Sequence, residues 1–344
     1  MQQFGAFPHH PITLLSDLTI LQRIILAIVT ILMIPPFTLA DSLPTTVCST
    51  CSIHHPRQDR LWLISTRSLS WDACRASLTN PPFDISRVDH CGITGQATLD
   101  DLLNDRPVDQ PVLIQIHGNR MTYQTAKERG LFVYQQTAPY CDPRPLDYVI
   151  FSWPSEQEGL LLKDGREKAE RTDLQGLYLA WLLRELAQRD IPVAIIGFSF
   201  GGRIATGAAH ALAGGTLAGR TLPGDHLRGA NISLGLIAPA LEDDWLREGH
   251  YHGLATQNIQ NLSILFNRRD AVLRRYWLID KVRGNMALGY TGPKSIAARF
   301  DGTPTPVVAH DCSLTLGLRH DEKKYYLEEC RAGLRMAKLL QTTY

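Results

Sequence analysis

Short and almost unbroken apolar runs recur along the chain, at residues 61–64, 111–116, 148–151, 191–196, 232–237, 262–266 and 305–309. They do not alternate between apolar and polar positions, which is the pattern of strands covered on both faces, so each is expected to lie centrally in a sheet. The stretches between them have helical periodicity. Leu174, Tyr178, Trp181, Leu182 and Leu186 share one helical face, and Thr172-x-x-Gln175 has the spacing of a capping box at its start. Ile204, Ala205, Ala208, Ala209 and Leu212 predict a second helix, ended by Gly214-Gly215. Tyr326, Cys330, Leu334 and Ala337 predict a terminal helix from Asp321 to about Leu340. Strands alternating with helices predict an α/β protein, a three-layer α/β/α sandwich around a mostly parallel sheet. Residues 154–171 and 214–229 read as surface loops, and no internal repeat or low-complexity tract is present.

The amino terminus has a different pattern. Arg23 precedes the apolar run IILAIVTILMI at residues 24–34, which is followed by Pro35-Pro36 and the small-residue stop Thr38-Leu39-Ala40. That order is the order of a secretory signal, so residues 1–40 are expected to be a leader and the protein to be exported. The run is shorter than the roughly 20 residues that span a bilayer, which favours cleavage over its alternative, an uncleaved membrane anchor. Residues 41–60 form a cysteine-containing segment, and residues 61–344 remain for one catalytic-size domain.

Seven cysteines, at 48, 51, 74, 91, 141, 312 and 330, are many for a chain kept in a reducing compartment. Export would allow some of them to form disulfides, in a pairing that spacing does not define. Cys48-x-x-Cys51 with His54 and His55 crowds its ligands into one short segment without a second pair at zinc spacing, so no metal site is expected. Acidic and basic residues nearly cancel to a net charge of +1. No long-range field therefore gathers nucleic acid or an anionic membrane, and a small, mostly uncharged substrate suits the surface better.

The chemistry begins at Gly197-Phe198-Ser199-Phe200-Gly201, a Gly-x-Ser-x-Gly set directly after one apolar run and directly before a helical pattern. Alone the pattern recurs by chance; with a strand before it and a helix after it, it predicts a sharp turn that forces the Ser199 hydroxyl into the open. Gly197 and Gly201 are needed because larger side chains would meet neighbouring backbone. The helix start places N–H groups and the positive end of the helix dipole near an oxyanion, with the Phe200 amide as one donor.

Upstream, the run Val112-Leu113-Ile114-Gln115-Ile116 ends in His117-Gly118-Asn119. With these two motifs the chain resembles the α/β-hydrolase superfamily, over about residues 61–340. Trp62-Leu63-Ile64-Ser65-Thr66-Arg67 and Phe151-Ser152-Trp153-Pro154-Ser155 make it similar to a little-characterised esterase/lipase-like branch. The resemblance implies that Asn119, or failing that Arg120, supplies the second oxyanion amide, and that His117 is structural. It also implies the order serine, acid, histidine, which confines the partners of Ser199 to later residues. Asp270, after Leu262–Phe266, resembles the family's acid; Asp243 and Asp244, one strand earlier, are the alternatives. His320, between the last strand and the terminal helix, resembles the family's closing histidine, and His310 is its alternative.

The expected function is that of a secreted serine hydrolase, with a carboxylic ester or lipid-like small molecule as substrate, no cofactor, and a small lid or none. A catalytically silent binding or scaffold protein of the cell envelope is the competing reading, since folds outlive particular chemistries. Nucleic acid is not an expected partner, and a membrane is one only through an uncleaved amino terminus.

Overall fold

The computed structural model describes residues 57–89, 92–104, 106–107, 110–280 and 285–341. The expected leader, Cys48, Cys51, His54, His55 and Cys91 lie outside the described residues. Among the described residues no helix is long and apolar enough to cross a membrane, and no cluster of ligands suited to a metal is found.

Among the described residues nine strands form one sheet: β1 (Arg60–Ser65), β2 (Asp84–Asp89), β3 (Gly92–Ala97), β4 (Val112–Ile116), β5 (Asp147–Ser152), β6 (Val193–Phe198), β7 (Ile232–Ile237), β8 (Ile259–Phe266) and β9 (Val307–Asp311). Their order is β3-β2-β1-β5-β4-β6-β7-β8-β9. All neighbours from β1 to β9 run parallel, and β2 pairs antiparallel with both β1 and β3. Four long helices cover the sheet: α1 (Tyr123–Thr137), α2 (Leu161–Ala187), α3 (Phe200–Leu212) and α4 (Ala332–Gln341).

The two layers follow from which side chains each strand turns to which face. On one side Gly235 leaves room for Met336 and Leu339 of α4, and Ile150 packs where Gly130 of α1 has no side chain. On the other side α3 crosses Leu236 at Gly202, α2 packs on α3 at Gly176, and Gln175 of α2 accepts a 2.6 Å hydrogen bond from Thr66 Oγ1. Strands β4, β5, β6 and β7 are buried from end to end, as apolar runs covered on both faces require.

Three expectations are corrected. The run at 305–309 forms β9, which is an edge strand: it pairs only with β8, and Val308 is 65% exposed. The capping box at Thr172 does not form, because α2 begins eleven residues earlier, at Leu161, inside the stretch read as loop. Thr172 instead bonds back to the Ala169 carbonyl (2.5 Å), and charged pairs hold the added turns. Lys168 Nζ, fully buried, lies 3.1 Å from Glu158, and Arg171 lies 2.8 Å from the same carboxylate. The terminal helix is broken. A short helix, Glu322–Tyr326, and a 3-10 turn, Glu328–Cys330, precede Arg331 in the left-handed region (φ 44°), and only then does α4 start. Both pieces touch α1, but they part at the sheet, where Glu322 reaches β4 while α4 lies across β6, β7 and β8. The connection between the last two strands carries short helices of its own. Between β8 and β9 lie the short helices Trp277–Asp280 and Leu288–Thr291, and the first reaches α2, where Arg166 Nε donates to the Leu278 carbonyl (3.0 Å).

The hairpin β2–β3 escaped the apolar pattern because its sequences, DISRVD and GITGQA, are polar and its outer strand is largely exposed. Residues 57–60 belong to the domain. The Asp59 carboxylate accepts from Tyr134 Oη (2.7 Å) and the Leu146 amide (3.0 Å), and Arg60 pairs with buried Asp147 (2.7 Å).

Candidate active site

The carboxyl ends of parallel strands and the loops that leave them are where an open α/β sheet presents its chemistry. Here β4 delivers His117 to Asn119, β6 delivers Ser199, β8 delivers Asn267 to Asp270, and the segment after β9 delivers His320.

Ser199 has φ 53° and ψ −117°, a strained conformation held by its surroundings. Its amide donates to the Ile237 carbonyl (3.0 Å), and its own carbonyl accepts from the amides of Gly202 (3.0 Å) and Ala240 (3.1 Å). The elbow glycines are steric necessities. A Cβ at Gly197 would lie 2.7 Å from Gly201 backbone, and one at Gly201 would run into the Ile116 carbonyl oxygen. A Cβ at Gly118 would sit 2.8 Å from the Phe198 ring and 3.3 Å from Ser199 Cβ, so the loop after β4 lies directly against the serine.

His320 joins the other two groups. Its Nε2 accepts from Ser199 Oγ at 3.0 Å, and its Nδ1 donates to Asp270 Oδ2 at 2.7 Å. Asp270 is completely buried, and its second oxygen accepts the amides of Val272 and Leu273, both at 2.9 Å. With both oxygens committed, the carboxylate has one orientation, and the imidazole's tautomer follows from it. The His320 ring also packs against Phe198, with centroids 5.0 Å apart.

The alternatives are held elsewhere. His310 faces Arg335 (3.2 Å) on the edge strand, where burial and then the Arg335 charge lower its pKa. Asp244 pairs with His250 (3.2 Å), and Asp243 with Lys294 (2.7 Å). His117 is buried, donates from Nδ1 to the Gly118 carbonyl (2.8 Å) and accepts the Trp153 amide at Nε2 (3.2 Å). Burial pushes its pKa down to about 3, so it stays neutral and holds the two loops. Arg120, with φ 60°, spends its amide on the Ser155 carbonyl (2.7 Å), whereas the amides of Asn119 and Phe200 donate to no backbone carbonyl among the described residues.

Residues that sequence reasoning passed over hold the histidine. Asn267 Nδ2 donates to the carbonyls of Gly317 (2.8 Å) and Arg319 (3.3 Å), and its Oδ1 accepts the Arg269 amide (2.9 Å). The Ser313 hydroxyl accepts the Arg268 amide (2.7 Å), and the Ala271 amide donates to the Leu318 carbonyl (3.1 Å). On the far side Glu322, fully buried, meets Arg129 of α1 at 3.2 Å and Gln115 of β4 at 3.4 Å. Burial nevertheless pushes its carboxyl up to about 7. An asparagine after a strand and a glutamate in a helix carry no signal of their own; their partners lie about 50 and 200 residues away.

The strand order, the tight turn after β6 and the placement of Asp270 and His320 after β8 and β9 define an α/β-hydrolase fold. No protein-family model matches the chain, and no curated protein matches it. Among solved structures it is similar to esterase B from Lactobacillus rhamnosis, at 14% identity over 83% of this chain and 86% of that one, with a TM-score of 0.38. It is also similar to acyl-protein thioesterase 2 from Zea mays, at 16% identity over 69% and 96%, with a TM-score of 0.37. A hyperthermophilic esterase from the archaeon Pyrobaculum calidifontis matches at 13% identity over 69% and 76%, with a TM-score of 0.31.

Proposed function

We propose that the protein is a serine hydrolase of small carboxylic esters, with Ser199 as nucleophile, His320 as general base and acid, and Asp270 as the group that orients and stabilises the imidazolium. The observation that carries this reading is the continuous path from Ser199 Oγ through His320 to a buried Asp270, at 3.0 and 2.7 Å, assembled from three separate loops. His320 takes the serine proton as Oγ attacks the carbonyl, and the Asp270 carboxylate balances the new positive charge. The developing oxyanion rests on the amides of Phe200 and Asn119. The histidine returns its proton to the departing alcohol, then activates the water that frees the acyl group. An ester is favoured over an amide because an alcohol leaves with less help than an amine.

Exposed Val272 and Leu318, beside Asp270 and His320, support an apolar acyl group or lipid-like substrate. The order of charged, apolar and small residues over positions 1–40 supports export with removal of that leader. The test is labelling of the purified full chain by a fluorophosphonate, with p-nitrophenyl acetate turnover measured alongside. We expect Ser199→Ala to lose labelling and about 10⁵-fold or more in kcat with an unchanged Tm. A folded wild-type protein that neither labels nor turns over would move the weight to the silent binding module.

A further inference from the structure

Two cysteines bracket the segment that carries His320. Cys312 directly follows β9, with its amide bonded to the Phe266 carbonyl (2.8 Å); Cys330 ends the 3-10 turn before Arg331. Both are present as thiols and both are buried, at 1% and 0% exposure, although the edge strand beside them is not. The Cys330 side chain is the hydrogen-bond partner of Cys312, and Thr315 Oγ1 reaches Glu329 at 3.4 Å, so the two ends of the segment meet at more than one point. Tyr325, also buried, lies within electrostatic reach of both sulfurs and of Asp270, and its ring is 6.5 Å from that of Phe198, which packs on His320. The other described cysteines are placed differently: Cys74 is exposed, and Cys141 donates to the Thr137 carbonyl (3.5 Å).

We propose that Cys312 and Cys330 form a disulfide when the chain folds in an oxidising compartment, closing the 312–330 segment around His320. The proposal rests on the reading of His320 as the base and of the chain as exported. The oxidant is a small-molecule disulfide. One cysteine thiolate attacks it and releases one thiol, leaving a mixed disulfide; the second thiolate then displaces the other thiol. The protons of both cysteines end on the two released thiols, the cysteine sulfurs are oxidised by two electrons, and the external disulfide is reduced by two. The contact with Cys330 and burial both push the Cys312 thiol up, which makes the docked pair a poor nucleophile. The exchange therefore belongs to folding, before the segment packs down, and burial then preserves the link. A cross-link here narrows the unfolded ensemble and keeps the histidine loop from opening at its ends.

The experiment uses the full chain, reduced, unfolded and refolded either with reduced and oxidised glutathione or with dithiothreitol. Remaining thiols are then blocked in denaturant at low pH, and the peptides are mapped by mass spectrometry. We expect a Cys312–Cys330 cross-linked peptide in the glutathione-refolded chain and a Tm about 5 °C above that of the reduced chain. The Cys312→Ala/Cys330→Ala double variant should show one Tm under both conditions. Folded glutathione-treated protein with both cysteines alkylated, or with either joined to another cysteine, would overturn the proposal. Mapping of the wild-type chain decides the matter even if the double variant does not fold. It is also independent of turnover: a missing link in protein whose Ser199 labels sinks this proposal alone, and a link in protein that does not label sinks only the hydrolase reading.

Discussion

The two halves of the candidate site are built by different physics. The Ser199 half is held by backbone: an entirely buried strand, a helix that starts at once, and glycines at contact distance from neighbouring carbonyls. The His320 half hangs from an edge strand and is held by side chains of distant segments, namely Asn267, Ser313, and Glu322 against Arg129. The first half is rigid because alternatives collide; the second is in place because polar bonds are satisfied. Substitutions in the first should therefore cost folding, and substitutions in the second should cost alignment, hence kcat, before they cost the fold.

The largest effect is expected at Gly201. In Gly201→Ala the new methyl meets the Ile116 carbonyl, and a loss of about 4 kcal/mol or more is expected, read as missing soluble protein or a collapsed urea midpoint. A near-normal midpoint would remove the steric account of the elbow. Next is Asp270→Asn, which keeps the shape but presents an amide to Nδ1; kcat should fall by about 10⁴-fold with Tm little changed. Intact kcat would show that the buried carboxylate is not coupled to the reaction.

Asn267→Ala sharpens the contrast. It should lower kcat by about 10- to 100-fold and stability by about 1–3 kcal/mol, with KM almost unmoved, because the side-chain amide ties the histidine loop to the Asp270 loop. An effect confined to KM would place Asn267 against substrate instead. The smallest effect on turnover, and the clearest on pH, concerns Glu322. Its folded pKa of about 7 lies above its unfolded value, so the folded state binds a proton more tightly. That stabilisation is complete below about pH 4.5 and is lost as pH rises through 7, by about 3 kcal/mol in all. Glu322→Gln should flatten the fall in Tm between pH 5 and pH 8. An unchanged slope would mean that Arg129 already keeps the carboxylate ionised throughout.

The same contrast explains which parts of the molecule could be read from the chain. The buried strands announce themselves through unbroken apolar runs, and Ser199 through a five-residue pattern whose meaning comes from the strand just before it and the helix just after it. The polar hairpin β2–β3 and the early start of α2 could not be read that way, since charged residues at 158–171 look like a loop until Lys168 and Arg171 find Glu158. The choice of His320 over His310, and of Asp270 over Asp244, needed family resemblance as well as position. Their sequence surroundings are similar, and they are separated by which of them stand near Ser199.

Local sequence thus specified what depends on short-range sterics and burial: the strand cores, the helix after the serine, and the elbow with its two glycines. Tertiary structure decided what depends on partners remote in sequence. It set the edge position of β9, broke the last helix at Arg331, and gathered Asn267, Glu322, Cys312 and Cys330 around one histidine. The physical reason is range. A clash or an apolar period acts over a few residues, whereas a hydrogen bond or a buried charge acquires its partner only when the chain has closed on itself.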